Sequence, residues 1–319
     1  MILPLVWAAC AAAGYLYSRL QHIPTAMAMA VLPAFLLEAT FYYALGAERL
    51  RARIERWPQA ILAFALTLAA VAPYSAAALA LGSFHWRSFL WIAVLAAAAS
   101  SWYVLLPHKP ASDILFLVFM ATVWLTKVFR GLYPETDPKL YVYVLGQLMW
   151  FRTGLFAMLS VRRVKGVGFG FWPAAREWKI GAAYFLVFTP VAAVLAWRVG
   201  FARPHLPPPG WERTSFLAVG TFFGVLWVLA LGEEFFFRGL LQQWMTGWLR
   251  NQWAGLIVTS LLFGAVHIWY GHPFPNWRAA AMAALLGVFC GLAFRQARSI
   301  RAPMVTHALV VTTWRIFFS

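Results

Sequence analysis

Residues 215–240 read SFLAVGTFFGVLWVLALGEEFFFRGL, and the only charged side chains in the run are Glu233, Glu234 and Arg238. At about 1.5 Å per residue such a helix crosses a ~30 Å hydrocarbon core with length to spare. The run is apolar on every face, so it lacks the ~10-residue alternation of a barrel strand. Further apolar runs surround it, near 2–18, 25–46, 58–82, 87–106, 112–131, 140–160, 180–199, 252–269, 279–297 and 302–318. The expected fold class is therefore all-α, a polytopic transmembrane helical bundle of about eleven spans.

Composition supports lipid as the solvent. The 319 residues are 63% hydrophobic and 11% charged, with a mean hydropathy of +0.71, far outside the range of water-soluble domains. A net charge of +16 would suit nucleic acid, but the 26 Lys and Arg are scattered over short loops and form no basic domain. Membrane topology accounts for them, and no nucleic-acid partner is expected. The heavier side of the alternating loops carries Arg49 to Arg56, Lys109, Arg162 to Lys165, Arg176, Lys179, Arg250, and Arg295 to Arg301, which makes that side cytoplasmic. The chain begins apolar without a basic leader, so its first run is expected to be a span and not a cleaved signal.

The connections carry Pro, Gly or charge: Glu48 to Arg56, Pro107 to Pro110, Tyr133 to Lys139, and Arg203 to Pro209. Between Gly166 and Lys179, Phe169, Phe171, Trp172 and Trp178 alternate with Arg176 and Lys179, a pattern suited to the headgroup region. This segment is taken as the boundary between an N-terminal accessory bundle, 1–165, and a C-terminal functional bundle, 166–319. The two cysteines, Cys10 and Cys290, lie in separate apolar runs and read as small core residues.

Acidic residues number only ten, yet two of them are adjacent inside residues 215–240. A carboxylate in hydrocarbon is costly enough that it normally faces the bundle interior and marks a pathway or reactive site. Neighbours on a helix point about 100° apart, so the two glutamates must play different parts. Glu234 and Arg238, at i and i+4, share a face and can pair. Glu233 is then the candidate general base. Its partners are the histidines inside later spans, His267 and His307. The eighth and ninth runs form an antiparallel hairpin turning near Leu249 to Asn251, with Glu233 and His267 each about 16 to 18 residues from the turn and so at matching depth. Ser260 reads as a packing residue and not as a nucleophile.

These residues resemble a family. Glu233-Glu234-Phe235-Phe236-Phe237-Arg238, then Phe263-Gly264-Ala265-Val266-His267, then His307 are similar to the EExxxR, FxxxH and C-terminal His motifs of the CAAX-protease and bacteriocin-processing family, also called CPBP or Abi. The resemblance covers about residues 166–319 and implies an intramembrane endopeptidase opening to the cytoplasmic side. Carried over by motif, Glu233 activates water assisted by His267, Glu234 and Arg238 shape the site, and His307 helps to hold the attacked carbonyl or its oxyanion. The family's last motif is commonly HxxxN, whereas Val311 stands in the asparagine's place. The Tyr133 to Pro138 loop with Arg152, Arg162 and Arg163 also looks similar to the subset associated with bacterial exosortase systems.

The expected activity is hydrolysis of a peptide bond in a membrane-associated protein or peptide, in a bacterial-type inner membrane. No cofactor is favoured. Were a metal present, zinc held by Glu233, His267 and His307 would be the expected set, although HExxH spacing is absent. Two other readings stay open: a proton-coupled transporter with a Glu/His relay, and a catalytically weak scaffold or immunity protein of the same fold. Oligomeric state is not legible.

Overall fold

The computed structural model describes residues 2–135, 137–201, 210–271 and 274–318, without the side chains of Ile2 and Arg213. The expected Arg203 to Pro209 connection therefore lies outside the described residues, as does Thr136 in the Tyr133 to Pro138 loop. The chain divides into two compact units, Met1–Val164 and Lys165–Ser319.

The first unit contains α1 (Ile2–Gln21), α2 (Thr25–Gly46), α3 (Glu48–Ile54), α4 (Gln59–Ala80), α5 (Trp86–Leu105), α6 (Pro110–Leu125), α7 (Phe129–Leu132) and α8 (Val144–Phe156), which continues as a π-helical stretch, Ala157–Val161. One buried pair ties α2, α4 and α8 together. The Arg152 Nε donates to Glu38 Oε1 at 2.6 Å and its Nη2 to Glu38 Oε2 at 3.1 Å. The same Nη2 donates to the Ala69 carbonyl at 3.0 Å. Pro73, inside α4, has no N–H to offer the carbonyl four residues back, so Ala69 is left with an acceptor that the guanidinium fills.

The second unit contains α9 (Ala175–Arg198), then a long helix in five stretches: α10 (Trp211–Gly224), π-helical Val225–Ala230, α11 (Leu231–Glu234), π-helical Phe235–Gln242 and α12 (Gln243–Leu249). After it come α13 (Gln252–Val266), a 3-10 turn His267–Trp269, α14 (Trp277–Ala297) and α15 (Arg301–Phe317). The hairpin between α12 and α13 turns where the sequence places it. Arg250 takes a left-handed conformation, and Asn251 caps α13 by accepting from the Trp253 and Ala254 amides at 2.9 and 3.1 Å.

The protein is all-helical in its described residues. Among the described residues, eight helices are long and apolar enough to cross a bilayer, including the continuous 36-residue stretch Thr214–Leu249. Each of the eleven apolar runs contains a helix, but α1, α6 and α15 are not among the eight. At 16 and 17 residues, α6 and α15 span only about 24 to 26 Å at 1.5 Å per residue. The Gly166 to Lys179 segment is irregular, bending at Gly166, Phe171 and Trp172, and enters α9 at Ala175. It is held by Ile300 N donating to Val167 O at 2.9 Å and by Ser299 Oγ donating to Gly168 O at 2.9 Å.

Small residues bring α13 and α14 together beside the site. A Cβ on Gly264 would lie 2.6 Å from the Ala280 carbonyl and 2.7 Å from the Ala284 Cβ. In lipid, such close approach and the dispersion contacts it allows are a main source of helix association. Gly264→Val is expected to force the helices apart and cost about 1–3 kcal/mol, read as a lowered thermal midpoint in detergent. Because His267 is three residues further along, the same variant should lose whatever depends on that imidazole.

Candidate active site

The short α-helical turn Leu231–Glu234 carries both glutamates between two π-helical stretches. Wider π turns alter the direction of side chains relative to a continuous α-helix and recur at functional sites. Glu234 and Arg238 are both fully buried. The Arg238 Nη1 donates to Glu234 Oε1 at 3.2 Å, and Nε lies 3.2 Å from Oε2. A third nitrogen, Nη2, donates to the Gly287 carbonyl of α14 at 3.1 Å. The guanidinium carbon stands 4.5 Å from the centre of the Phe263 ring, so α13 adds a cation–π contact. The i,i+4 pair is thus embedded in contacts from two further helices.

His307, on α15 and buried, bridges the glutamates. Its Nδ1 is 2.7 Å from Glu234 Oε1 and its Nε2 is 3.8 Å from Glu233 Oε2. An ionised carboxylate only accepts, so Nδ1 carries the proton in that bond. Glu233 differs sharply from its neighbour. Its side chain is 26% exposed, and its Oε2 is buried without a hydrogen-bond partner. One glutamate is held by Arg238 and His307, while the other keeps an acceptor free beside an imidazole.

His267 follows the last residue of α13. Its Nδ1 lies 2.7 Å from the Phe263 carbonyl, which can only accept, so a neutral ring presents a free lone pair at Nε2. No hydrogen bond or ion pair joins His267 to Glu233. What unites the two histidines is a cavity of about 400 Å³ that both line. Its walls are mainly apolar and aromatic, including Phe188, Trp197, Met282 and Trp314. Val311 faces the same space and offers it no hydrogen-bond donor. The Ser260 hydroxyl donates to the Leu256 carbonyl at 2.8 Å, and the Ser260 backbone would be 3.0 Å from a Cβ on Gly287, which is the geometry of packing.

One neighbour of the site was not singled out from sequence. Cys290, fully buried on α14, brings its Sγ into a group with Glu234 and His307 whose potential ligand atoms all lie within 4.8 Å of one another. Glu233, His267 and His307 do not converge that closely. Only the register of α14 against α11 and α15 places the thiol here, and no local motif announces it.

Fold and comparison together point to an integral membrane protein of helical spans whose C-terminal unit contains a stretch similar to a peptidase family. Residues 215–313 match the family model for type II CAAX prenyl endopeptidase Rce1-like proteins, so this stretch of the chain is similar to the CAAX-protease family. The match does not reach the first unit. No curated protein and no solved structure is significantly similar to the chain.

Proposed function

We propose that the second unit is an intramembrane endopeptidase that hydrolyses a peptide bond of a membrane-associated protein or peptide by water activated at Glu233. The observation that carries this reading is the buried, unpartnered Oε2 of Glu233 beside His307, next to an apolar cavity that two histidines line. Water placed at Glu233 would give a proton to the carboxylate while its oxygen attacks the scissile carbonyl. His267 Nε2 assists by accepting a hydrogen bond from that water. The oxyanion is stabilised when His307 carries both protons, with Nδ1–H on Glu234 and Nε2–H on the developing charge. Collapse of the tetrahedral intermediate returns the proton from Glu233 to the leaving amine. Glu234 and Arg238 hold His307 in place and do not themselves move protons.

The site is proposed to open to the cytoplasmic side of a bacterial-type inner membrane, because the Lys- and Arg-rich loops mark that side. The decisive experiment follows processing of membrane-anchored candidate substrates by purified protein in liposomes, with Glu233→Ala and His267→Ala beside the wild type. Loss in both variants, with wild-type processing that survives a strong chelator, is the expected result. Chelator sensitivity restored by zinc would replace the glutamate mechanism with a metal one. Absence of processing by folded wild type across a broad peptide library would remove the enzyme reading.

Val311 supplies a second test. A donor one helical turn beyond His307 would point into the cavity, and removing a comparable oxyanion donor costs roughly 10²–10³-fold in other enzymes. Val311→Asn is therefore expected to raise kcat with little change in KM. An unchanged or lower kcat would mean that the oxyanion is already satisfied by His307.

A further inference from the structure

Cys290 belongs to none of the motifs, and hydrolysis as described above makes no use of it. It nevertheless joins a carboxylate and an imidazole in one fully buried cluster. We propose that Glu234, Cys290 and His307 form a binding site for a thiophilic divalent cation, zinc or cadmium, whose occupation turns His307 Nε2–H onto Glu233, ties up that base and stops processing. The inhibitory consequence rests on the proposed function; the binding site does not.

The donor set is one oxygen, one nitrogen and one sulfur, a combination that suits zinc and its softer congener cadmium rather than magnesium or calcium. Bond lengths of about 2.0–2.3 Å in a tetrahedral zinc site put donor atoms roughly 3.3–3.7 Å apart. The present cluster lies within 4.8 Å, with His307 Nδ1 and Glu234 Oε1 at 2.7 Å. Opening that contact by about 0.6–1.0 Å and drawing in the thiol are side-chain movements on this scale.

Two buried carboxylate oxygens accept no hydrogen bond. Glu234 Oε2 makes no hydrogen bond, although Arg238 Nε is 3.2 Å away, and Glu233 Oε2 makes none either. Glu234 Oε1 takes the cation beside His307 Nδ1, while Oε2 keeps its ion pair with Arg238 Nε at 3.2 Å.

Protons and charges balance. Cation binding requires the thiolate, so the Cys290 proton leaves to solvent. It also requires the Nδ1 lone pair of His307, so that imidazole changes tautomer and carries its proton on Nε2. This new donor faces Glu233 Oε2, now 3.8 Å away and without a partner. With a neutral imidazole and a thiol, Glu233, Glu234 and Arg238 sum to one negative charge. Adding a dication and removing the thiol proton brings the cluster to zero, the favoured state in a low-dielectric interior. Entry is through the cavity, which His307 lines.

The test uses the full chain in detergent with the other cysteine removed by Cys10→Ser, titrated with Cd²⁺ and read by the ultraviolet sulfur-to-cadmium charge-transfer band and by released protons. A saturable band in Cys10→Ser, lost on adding Cys290→Ala or Cys290→Ser, is expected. Retained thermal transitions in both double variants show that the loss is not unfolding. No saturable band, or one indifferent to Cys290, overturns the site. In the processing assay, Cys290→Ser should keep activity while raising the inhibitory Cd²⁺ concentration by roughly 100-fold, as expected for loss of a metal contact. Equal inhibition of wild type and Cys290→Ser overturns the inhibitory role. A Cys290-dependent band in protein that processes no substrate upholds the site and counts against the hydrolytic reading alone.

Discussion

Glu233→Gln is expected to lower processing by roughly 10²–10⁴-fold, the range over which a positioned general base contributes. The substitution keeps the side chain's size and hydrogen-bonding capacity but removes its ability to take a proton from water. Because Glu233 is a quarter exposed and its Oε2 makes no hydrogen bond, the fold does not depend on its charge. The thermal transition should therefore stay where it is, and the loss should appear in kcat. Activity within about threefold of wild type would transfer the base role elsewhere. His267 would then be the next candidate base, since it lines the cavity and its Nε2 is not engaged by the Phe263 carbonyl.

Arg238→Met is expected to produce the largest loss of stability in the second unit, about 3–5 kcal/mol, the cost of leaving a buried charge without its partner. Glu234 has no exposure to solvent through which to recover hydration. The variant also removes the donor to the Gly287 carbonyl and the cation–π contact with Phe263. Unfolding in mixed micelles measures the effect. Combining it with Glu234→Gln removes the orphaned charge, and most of the stability should return. Processing should not, because Glu234 would no longer hold His307 Nδ1 through a charged hydrogen bond. Recovery of both together would mean that the pair is only a packing device. Recovery of neither would mean that the lost Gly287 and Phe263 contacts, and not the orphaned charge, account for most of the damage.

The contrast between the two glutamates shows how far local reasoning reaches. Adjacency on a helix forces the carboxylates apart by about 100°, and i,i+4 spacing assigns Arg238 to Glu234. Both relations survive in the structure, even though residues 235–242 are π-helical and not α-helical. Spacing could not reveal that His307 would touch both carboxylates. That contact depends on where α15 lies against α11, which is set by packing between helices far apart in the chain. Nor could depth matching along the α12–α13 hairpin show that His267 binds its own helix's carbonyl and meets the site across a cavity, without direct contact with Glu233.

Local sequence alone sets the solvent, the helical class, the hairpin turn at Arg250 and Asn251, and the pairing of Glu234 with Arg238. All of these follow from hydropathy and from the repeat of a single helix, which local chemistry dictates. Only the tertiary structure decided which helices are long enough to span, which oxygen remains unpartnered, and that Cys290 stands beside Glu234 and His307. Those outcomes depend on the register and close approach of α11, α13, α14 and α15, made possible by small residues such as Gly264 and Gly287. Register between helices is a property of many weak contacts together, and no short stretch of sequence carries it.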